Sequence, residues 1–510
     1  MKYIVLVFFS LMFIHNNYTQ QFYSKIYPSL RTERTADGIS SLTTLNSQNE
    51  AILVNLQWSI FSANKYSYAS KINSFGEIIW SKQLSDSINF LLPKDCRMLN
   101  NGFIFLCGSK YFNAINKRQM WYAYYDQEMN LLHDHIINDE FDNPEIQRIL
   151  QLKNSDLVLC GHNSKYNNRG NGASEKGRAM VMRVDTLGNI KWYHEFYDST
   201  DEKELHGFSG ITEDEDGYIY VSGANGNRDG NGDLIMAKIN REGNVVWYRQ
   251  YPSQDSEGLS CIYMQKDGSI LGIGGSGDPN IFTRSWLKVL VMNIDQDGNI
   301  KWIKKHSLRY DIEFSNCVES GDGNYVCTGV TQDTIEPDGK DNRDGVLQKI
   351  SPNGDVIWER QYGNWNRRLE GFWNLSKAYD GGYYLGGMSW ISEDVHESRA
   401  WVVKTDSNGC IVPGCTTGFI TEREPHKELF LLSPNPAQDY VNVYMNDVEF
   451  YDRKYYLNLY DQQGRIVQRH VVQGRVTQVD LSSLPAGMYY NRIVDQNNKF
   501  MQSGRIVVNR

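Results

Sequence analysis

Two stretches decide the fold: Arg183-Val-Asp185-Thr-Leu-Gly188-Asn-Ile-Lys-Trp192 and Asn293-Ile-Asp295-Gln-Asp-Gly298-Asn-Ile-Lys-Trp302. Further copies of the same pattern end at Trp80, Trp247 and Trp358. The Asp/Asn/Ser position that opens the turn recurs at Asn73, Asp126, Asp185, Asn240, Asp295, Ser351 and Asp406, at intervals close to 55 residues. A unit copied seven times at one period is a single repeat architecture, not a string of unrelated domains.

Working outward from the turn, each copy carries four short apolar runs, seen at Phe208 to Thr212, Tyr218 to Gly223, Leu234 to Ile239 and Val245 to Tyr251. Four strands per repeat make a propeller blade. Tight turns such as Asp216-Gly217, Asp267-Gly268 and Asp322-Gly323 join the first two runs, and the Asp-x-x-Gly turn joins the last two; both supply the positive φ a hairpin needs. Third strands such as Lys288 to Ile294 are nearly continuous in apolar residues, as expected where neighbouring blades cover both faces, and the Trp is expected to pack between blades. In the seventh copy Pro413 stands where the Trp belongs, so that blade lacks its outer strand, and Tyr23-Ser-Lys-Ile-Tyr27 is expected to supply it. The fold class read here is all-β: a seven-bladed β-propeller over residues 21–415, a linker over 416–428 and a small β-sandwich over 429–510. An open or eight-bladed ring is the alternative.

The chain has 510 residues and a net charge of −9, with no basic stripe, which argues against a nucleic-acid partner. Behind Met1 and Lys2, the apolar run Tyr3 to Ile14 is too short to span a bilayer and has the proportions of a signal peptide, read as residues 1–20. No other long apolar run occurs, so no transmembrane segment is expected in the mature chain.

Leu432-Ser-Pro434-Asn435-Pro436-Ala-Gln-Asp439, Leu459-Tyr-Asp461-Gln-Gln-Gly464 and Leu481-Ser-Ser-Leu-Pro-Ala-Gly487-Met-Tyr follow in order near the C-terminus. Their alternating neighbours, such as Val441 to Met445, have the period of half-buried strands. The segment resembles the type A C-terminal sorting domain of the Bacteroidota type IX secretion system. The resemblance implies a sandwich read by the outer-membrane translocon and removed by a sortase-like protease. It also implies export through the periplasm to the cell surface or medium.

Binding function is expected on the face carrying the long loops after strands two and four, because loops on a rigid scaffold carry function. One of them alternates oxygen ligands with glycine, at Asn227, Asp229, Asn231 and Asp233; this suits calcium, though Lys238 stands where an EF-hand would have its bidentate Glu. A plain turn-rich loop, with no ion, is the preferred reading, and calcium the alternative. Asp37, His206, Glu257 and Glu370 each precede Gly and an apolar residue at the start of a first strand, and are expected to form an acidic rim at the channel mouth, or else to fix the loop entering that strand. Cross-strand disulfides are expected for Cys96 with Cys107 and Cys317 with Cys327, and a small loop closed by Cys410 with Cys415. No Gly-x-Ser-x-Gly, His-Glu-x-x-His or phosphate-loop motif occurs. The functional expectation is therefore a secreted, non-enzymatic binding or adhesion module for a glycan or surface protein, without a cofactor apart from the calcium option. The alternative is a polysaccharide-active enzyme with its site at the channel mouth.

Overall fold

The computed structural model describes residues 22–30, 35–59, 65–85, 88–112, 117–137, 144–166, 174–196, 205–226, 232–277, 288–306, 311–333, 342–364, 370–392, 397–411, 420–424, 430–445, 454–496 and 500–509. All its regular elements are strands. After β1 (Tyr23–Ile26), the chain repeats an antiparallel four-strand meander. The first unit is β2 (Thr35–Thr44), β3 (Ala51–Ser59), β4 (Lys65–Ile72) and β5 (Ile78–Ser85); the second is β6 (Asn89–Met98), β7 (Ile104–Phe112), β8 (Lys117–Tyr125) and β9 (Leu131–Ile137). Then come β10 (Glu145–Gln151), β11 (Leu157–Tyr166), β12 (Ser174–Val184) and β13 (Ile190–Phe196), followed by β14 (Leu205–Glu213), β15 (Ile219–Gly226), β16 (Leu234–Ile239) and β17 (Val245–Tyr251). The fifth unit holds β18 (Ser256–Met264), β19 (Ile270–Gly277), β20 (Lys288–Ile294) and β21 (Ile300–His306), and the next β22 (Asp311–Glu319), β23 (Tyr325–Asp333), β24 (Asn342–Ile350) and β25 (Val356–Asn364). The last repeat contributes three strands, β26 (Glu370–Lys377), β27 (Tyr383–Ser392) and β28 (Glu397–Thr405).

Its fourth position is taken by the start of the chain. β1 pairs antiparallel with β28, Lys25 opposite Val402 and Ile26 opposite Trp401. Pro413 and its neighbours lie outside the described residues. Within the stretch expected as a linker, β29 (Ile420–Glu424) adds in parallel to the outer edge of β25.

The seam between units explains the repeated motif. In each Asp-x-x-Gly turn the first residue's carbonyl accepts from the fourth residue's amide, as from Gly188 to Asp185 at 3.0 Å. The Asp185 carboxylate in turn accepts from the amides of Leu187 and Asn189 and from the Asn189 side chain, which holds its pKa below the usual range. The turn glycine has positive φ, 80° at Gly354, and presents a bare face and a free carbonyl to the preceding unit. Trp302 packs on that face at Gly354, as expected of the Trp, and His306 Nε2 reaches the Gly354 carbonyl at 2.6 Å. The donor is Tyr122 on Gly188 (2.6 Å), Tyr251 on Gly298 (2.8 Å) and Tyr362 on Gly409 (2.6 Å). Tyr27, just after β1, makes the same bond to Gly76 of the first unit at 2.8 Å. Between the turns, apolar strands of adjacent units share buried clusters, for example Phe372 and Trp401 with Leu347 and Trp358.

At the C-terminal end, β30 (Phe430–Ser433), β31 (Tyr440–Met445) and β34 (Val476–Asp480) form one sheet. β32 (Tyr455–Tyr460), β33 (Ile466–Val472), β35 (Gly487–Asp495) and β36 (Phe500–Val508) form another. Both contribute to one core that includes Val441, Val443, Leu457 and Ile493. Asn435 straps the strand ends together: its side chain donates to the Arg505 carbonyl (2.7 Å) and accepts from the Val507 amide (2.9 Å). Pro434 and Pro436 flank it, the Asp439 carbonyl accepts from Leu481, Gly464 has positive φ in its turn, and Gly487 opens β35.

Candidate binding cavity

All seven first strands carry a β-bulge at one equivalent place. The extra residue is Ser40 in β2, Lys94 in β6, Gln147 in β10 and Ser209 in β14, then Ser260, Ser315 and Trp373 in β18, β22 and β26. The local cause lies on the neighbouring strand. Six second strands place a glycine against the bulge (Gly108, Gly161, Gly223, Gly274, Gly329, Gly387), and a Cβ there would collide with a first-strand carbonyl, that of Gly207 in the case of Gly223. A glycine inside a strand marks such close approach.

Every bulge residue lines one cavity of about 610 Å³. It opens among the early parts of the first strands, the side of the long loops. A second cavity, about 350 Å³, lies among their later parts. Arg148 borders both. Its Nε donates to the Ser209 carbonyl (3.2 Å) and its Nη2 to the Ser315 carbonyl, so one side chain bridges β14 and β22 and floors the larger cavity. Hydroxyls tie neighbouring first strands together, Ser209 to the Leu259 carbonyl and Ser260 to the Phe314 carbonyl, both at 2.8 Å.

The wall is chemically lopsided. Trp58, Trp373 and Met388 line one part, and Lys94, Arg118 and Glu145 another. Glu145 is buried and faces Lys94 at 3.2 Å, Arg118 at 3.9 Å and the Gln147 amide at 2.8 Å. One carboxylate thus meets two cations. The remaining carboxylate on the wall is Glu313.

The expected rim residues do not line this cavity. Side chains alternate along a strand, and Asp37, Glu257 and Glu370 sit one position before the residue that faces inward. All three are buried: Glu257 pairs with Lys305 (2.6 Å), Glu370 accepts from the Ser389 hydroxyl, and the Asp37 amide donates to Ser398 Oγ (3.1 Å). His206 pairs by its backbone with Asn225, its side chain lying outside the description. Glu145 and Glu313, at the inward position, were missed by the sequence reading; the second-strand glycine was the available signal. In the acidic loop, Asn227, Asp229 and Asn231 lie outside the described residues, and the Asp233 carboxylate accepts from the Ser253 amide and the Gln250 side chain.

Cys317 and Cys327 are opposite one another and bonded. Cys96 and Cys107 are free, which corrects their expected pairing. The turn runs from Leu99 to Phe103, so Cys96 opposes Leu106 and Cys107 opposes Asp95; the two thiols enter different cores on opposite faces of the sheet. Cys410 is buried and disulfide-bonded, and Cys415 lies outside the described residues. Among the described residues no helix is long and apolar enough to cross a membrane.

Residues 432–509 match the family described as a secretion system C-terminal sorting domain, which supports a type IX sorting role and indicates secretion by that route. No curated protein matches the chain. Among solved structures, the chain is similar to a polysaccharide lyase, an ulvan lyase bound to a glucuronate–sulfated rhamnose repeat (9% identity, TM-score 0.46, covering 73% of this chain and 96% of that one). It is also similar to the β-propeller domain of the Trilobed protease from Pyrococcus furiosus (12%, TM-score 0.38, 71% and 95%). A third likeness is to a fungal alcohol oxidase in complex with copper (10%, TM-score 0.45, 96% and 100%). At such identities and scores the function must be argued from the chain's own residues.

Proposed function

We propose that residues 21–415 form a closed seven-bladed propeller that binds a ligand at the mouth of its central cavity, outside the cell and without turnover. Residues 429–510 form the sandwich that addresses it to the translocon. Closure is supported by the pairing of β1 with β28 and by Tyr27, which repeats on Gly76 the bond that links the other units. Such a latch removes the sheet edge an open ring would expose. The observation that carries the binding role is the cavity itself, walled by residues from all seven first strands, where the serine of four bulge positions gives way to Lys94, Gln147 and Trp373 at the other three. A site that only packed would keep them alike. Surveying the secreted protein on an array of glycans and surface proteins tests this: saturable binding that weakens with Trp373→Ala supports it, and binding indifferent to cavity substitutions overturns it. For the address, removal of residues 432–510 is expected to abolish appearance in the medium or on the surface, read by cell fractionation.

A further inference from the structure

Resting on the reading that this cavity mouth binds a ligand, we infer that the ligand is an acidic carbohydrate, a sugar chain bearing carboxylate or sulfate groups, held by Lys94 and Arg118 and stacked on Trp373. Four observations converge on it. First, the chain as a whole carries −9, yet this part of the wall sets two cations against one carboxylate. Glu145 is itself buried and engaged by Gln147, so it holds the two cations together while leaving a surplus of positive charge facing the cavity. A guanidinium and an ammonium at a partly dry site are the groups that select carboxylate and sulfate oxygens.

Second, the Trp373 indole is 37% exposed although it occupies a bulge position at the cavity. A large aromatic ring left open at a concave site offers an apolar face to a ligand, and the C–H face of a pyranose fits a flat indole. Third, Ser40, Gln147 and Asn374 also line the cavity; each donates within the protein, to the Val54 carbonyl, to Glu145 and to the Ser40 carbonyl, and keeps an oxygen that can accept from a sugar hydroxyl. Fourth, Arg148 is spent on backbone carbonyls across the floor, which closes the cavity to threading and restricts the ligand to what enters from the long-loop side. A nucleic acid would ask for a basic stripe over an open surface, which the sequence lacks.

The test uses the full secreted chain and matched probes: oligogalacturonate against its methyl ester, and dextran sulfate against dextran, with polyglutamate as a non-sugar polyanion. Calorimetric or fluorescence titration at low salt is expected to show binding to at least one acidic glycan, at least 10-fold tighter than to its neutral counterpart and weakened by added salt. Lys94→Gln with Arg118→Gln should lose at least 10-fold. Glu313→Gln, which removes a repelling wall charge, should gain a few-fold. Melting curves accompany the titrations: Glu313→Gln should match the parent, and because Lys94→Gln with Arg118→Gln leaves the buried Glu145 carboxylate without its cations, that variant also carries Glu145→Gln so that a lost affinity is not a lost fold. Equal binding of charged and neutral sugars, or weaker binding in Glu313→Gln, overturns the acidic-sugar inference while leaving cavity binding standing. Equal binding of polyglutamate overturns the carbohydrate part. Acidic-glycan binding that survives the Lys94, Arg118 and Trp373 substitutions together overturns both this inference and the cavity reading.

Discussion

The seam between units and the wall of the cavity are built from the same seven copies, yet they treat repetition in opposite ways. At the seam the copies converge. A turn glycine's carbonyl accepts a hydrogen bond from Tyr122, Tyr251, Tyr362, His306 or Tyr27, and a ring or long side chain of the preceding unit packs on the glycine, Trp192 on Gly243 and Trp302 on Gly354 among them. At the cavity the equivalent bulge positions hold Ser, Lys, Gln and Trp. The difference teaches where stability and where specificity reside. Each unit must bury its face against the next, which constrains the seam in every copy. The bulge is less uniform: Ser209 and Ser260 still tie to the first strand of the next unit, whereas Lys94, Gln147 and Trp373 replace serine and face the cavity.

That contrast can be broken most forcefully at Phe372, buried in the seam, stacked on Trp401 at 4.2 Å and edge-on to Tyr362 at 5.8 Å. Phe372→Ala is expected to lower the unfolding free energy by about 3–5 kcal/mol in denaturant titration; a loss under about 1 kcal/mol would contradict the placement of stability there. The buried pair of Lys404 with Asp380, at 2.8 Å beside the latch strand, is next. Asp380→Ala leaves the cation buried without its carboxylate and is expected to cost about 3 kcal/mol, whereas pairing it with Lys404→Met should recover much of the loss.

A pH effect sharpens the same comparison. Burial pushes the Asp344 carboxyl, in β24, up to about 7. The folded chain therefore holds a proton that the unfolded chain releases near pH 4. This contribution to stability is full below pH 4 and is lost as pH rises through 7. Asp344→Asn should flatten that fall, by about 4 kcal/mol between pH 4 and 8, in melting curves taken across the range. Smaller still, Tyr362→Phe removes one seam hydrogen bond, to Gly409, and is expected to cost about 1 kcal/mol. Trp373→Ala at the cavity should change stability by no more than about 0.5 kcal/mol while altering ligand affinity, the signature that separates wall from seam.

Much of this was legible in the chain. The Asp-x-x-Gly period located all seven turns, each of which has the same backbone bond, including Asp126, where Met129 stands for glycine with φ of 54°. The latch was legible as Tyr23 to Tyr27, and β1 pairs there with the last strand of the seventh unit. What was not legible was the direction of side chains on the first strands. Asp37, Glu257 and Glu370 looked like rim residues because their spacing before Gly recurs, but alternation turns them toward the blade interior. Cys96 and Cys107 failed for a related reason: one residue of turn length moves a side chain to the other face of the sheet.

The sequence by itself determined the repeat, its four strands, its turn chemistry and the sorting segment, because each rests on residues within a few positions of one another, where Asp, Gly and alternating apolar side chains act locally. Only the tertiary structure decided which residues face the cavity, that Arg148 floors it and that Glu145 gathers Lys94 and Arg118. Those facts depend on register: in six of the seven units the bulge of the first strand faces a glycine on the strand beside it, and the wall is assembled from strands hundreds of residues apart.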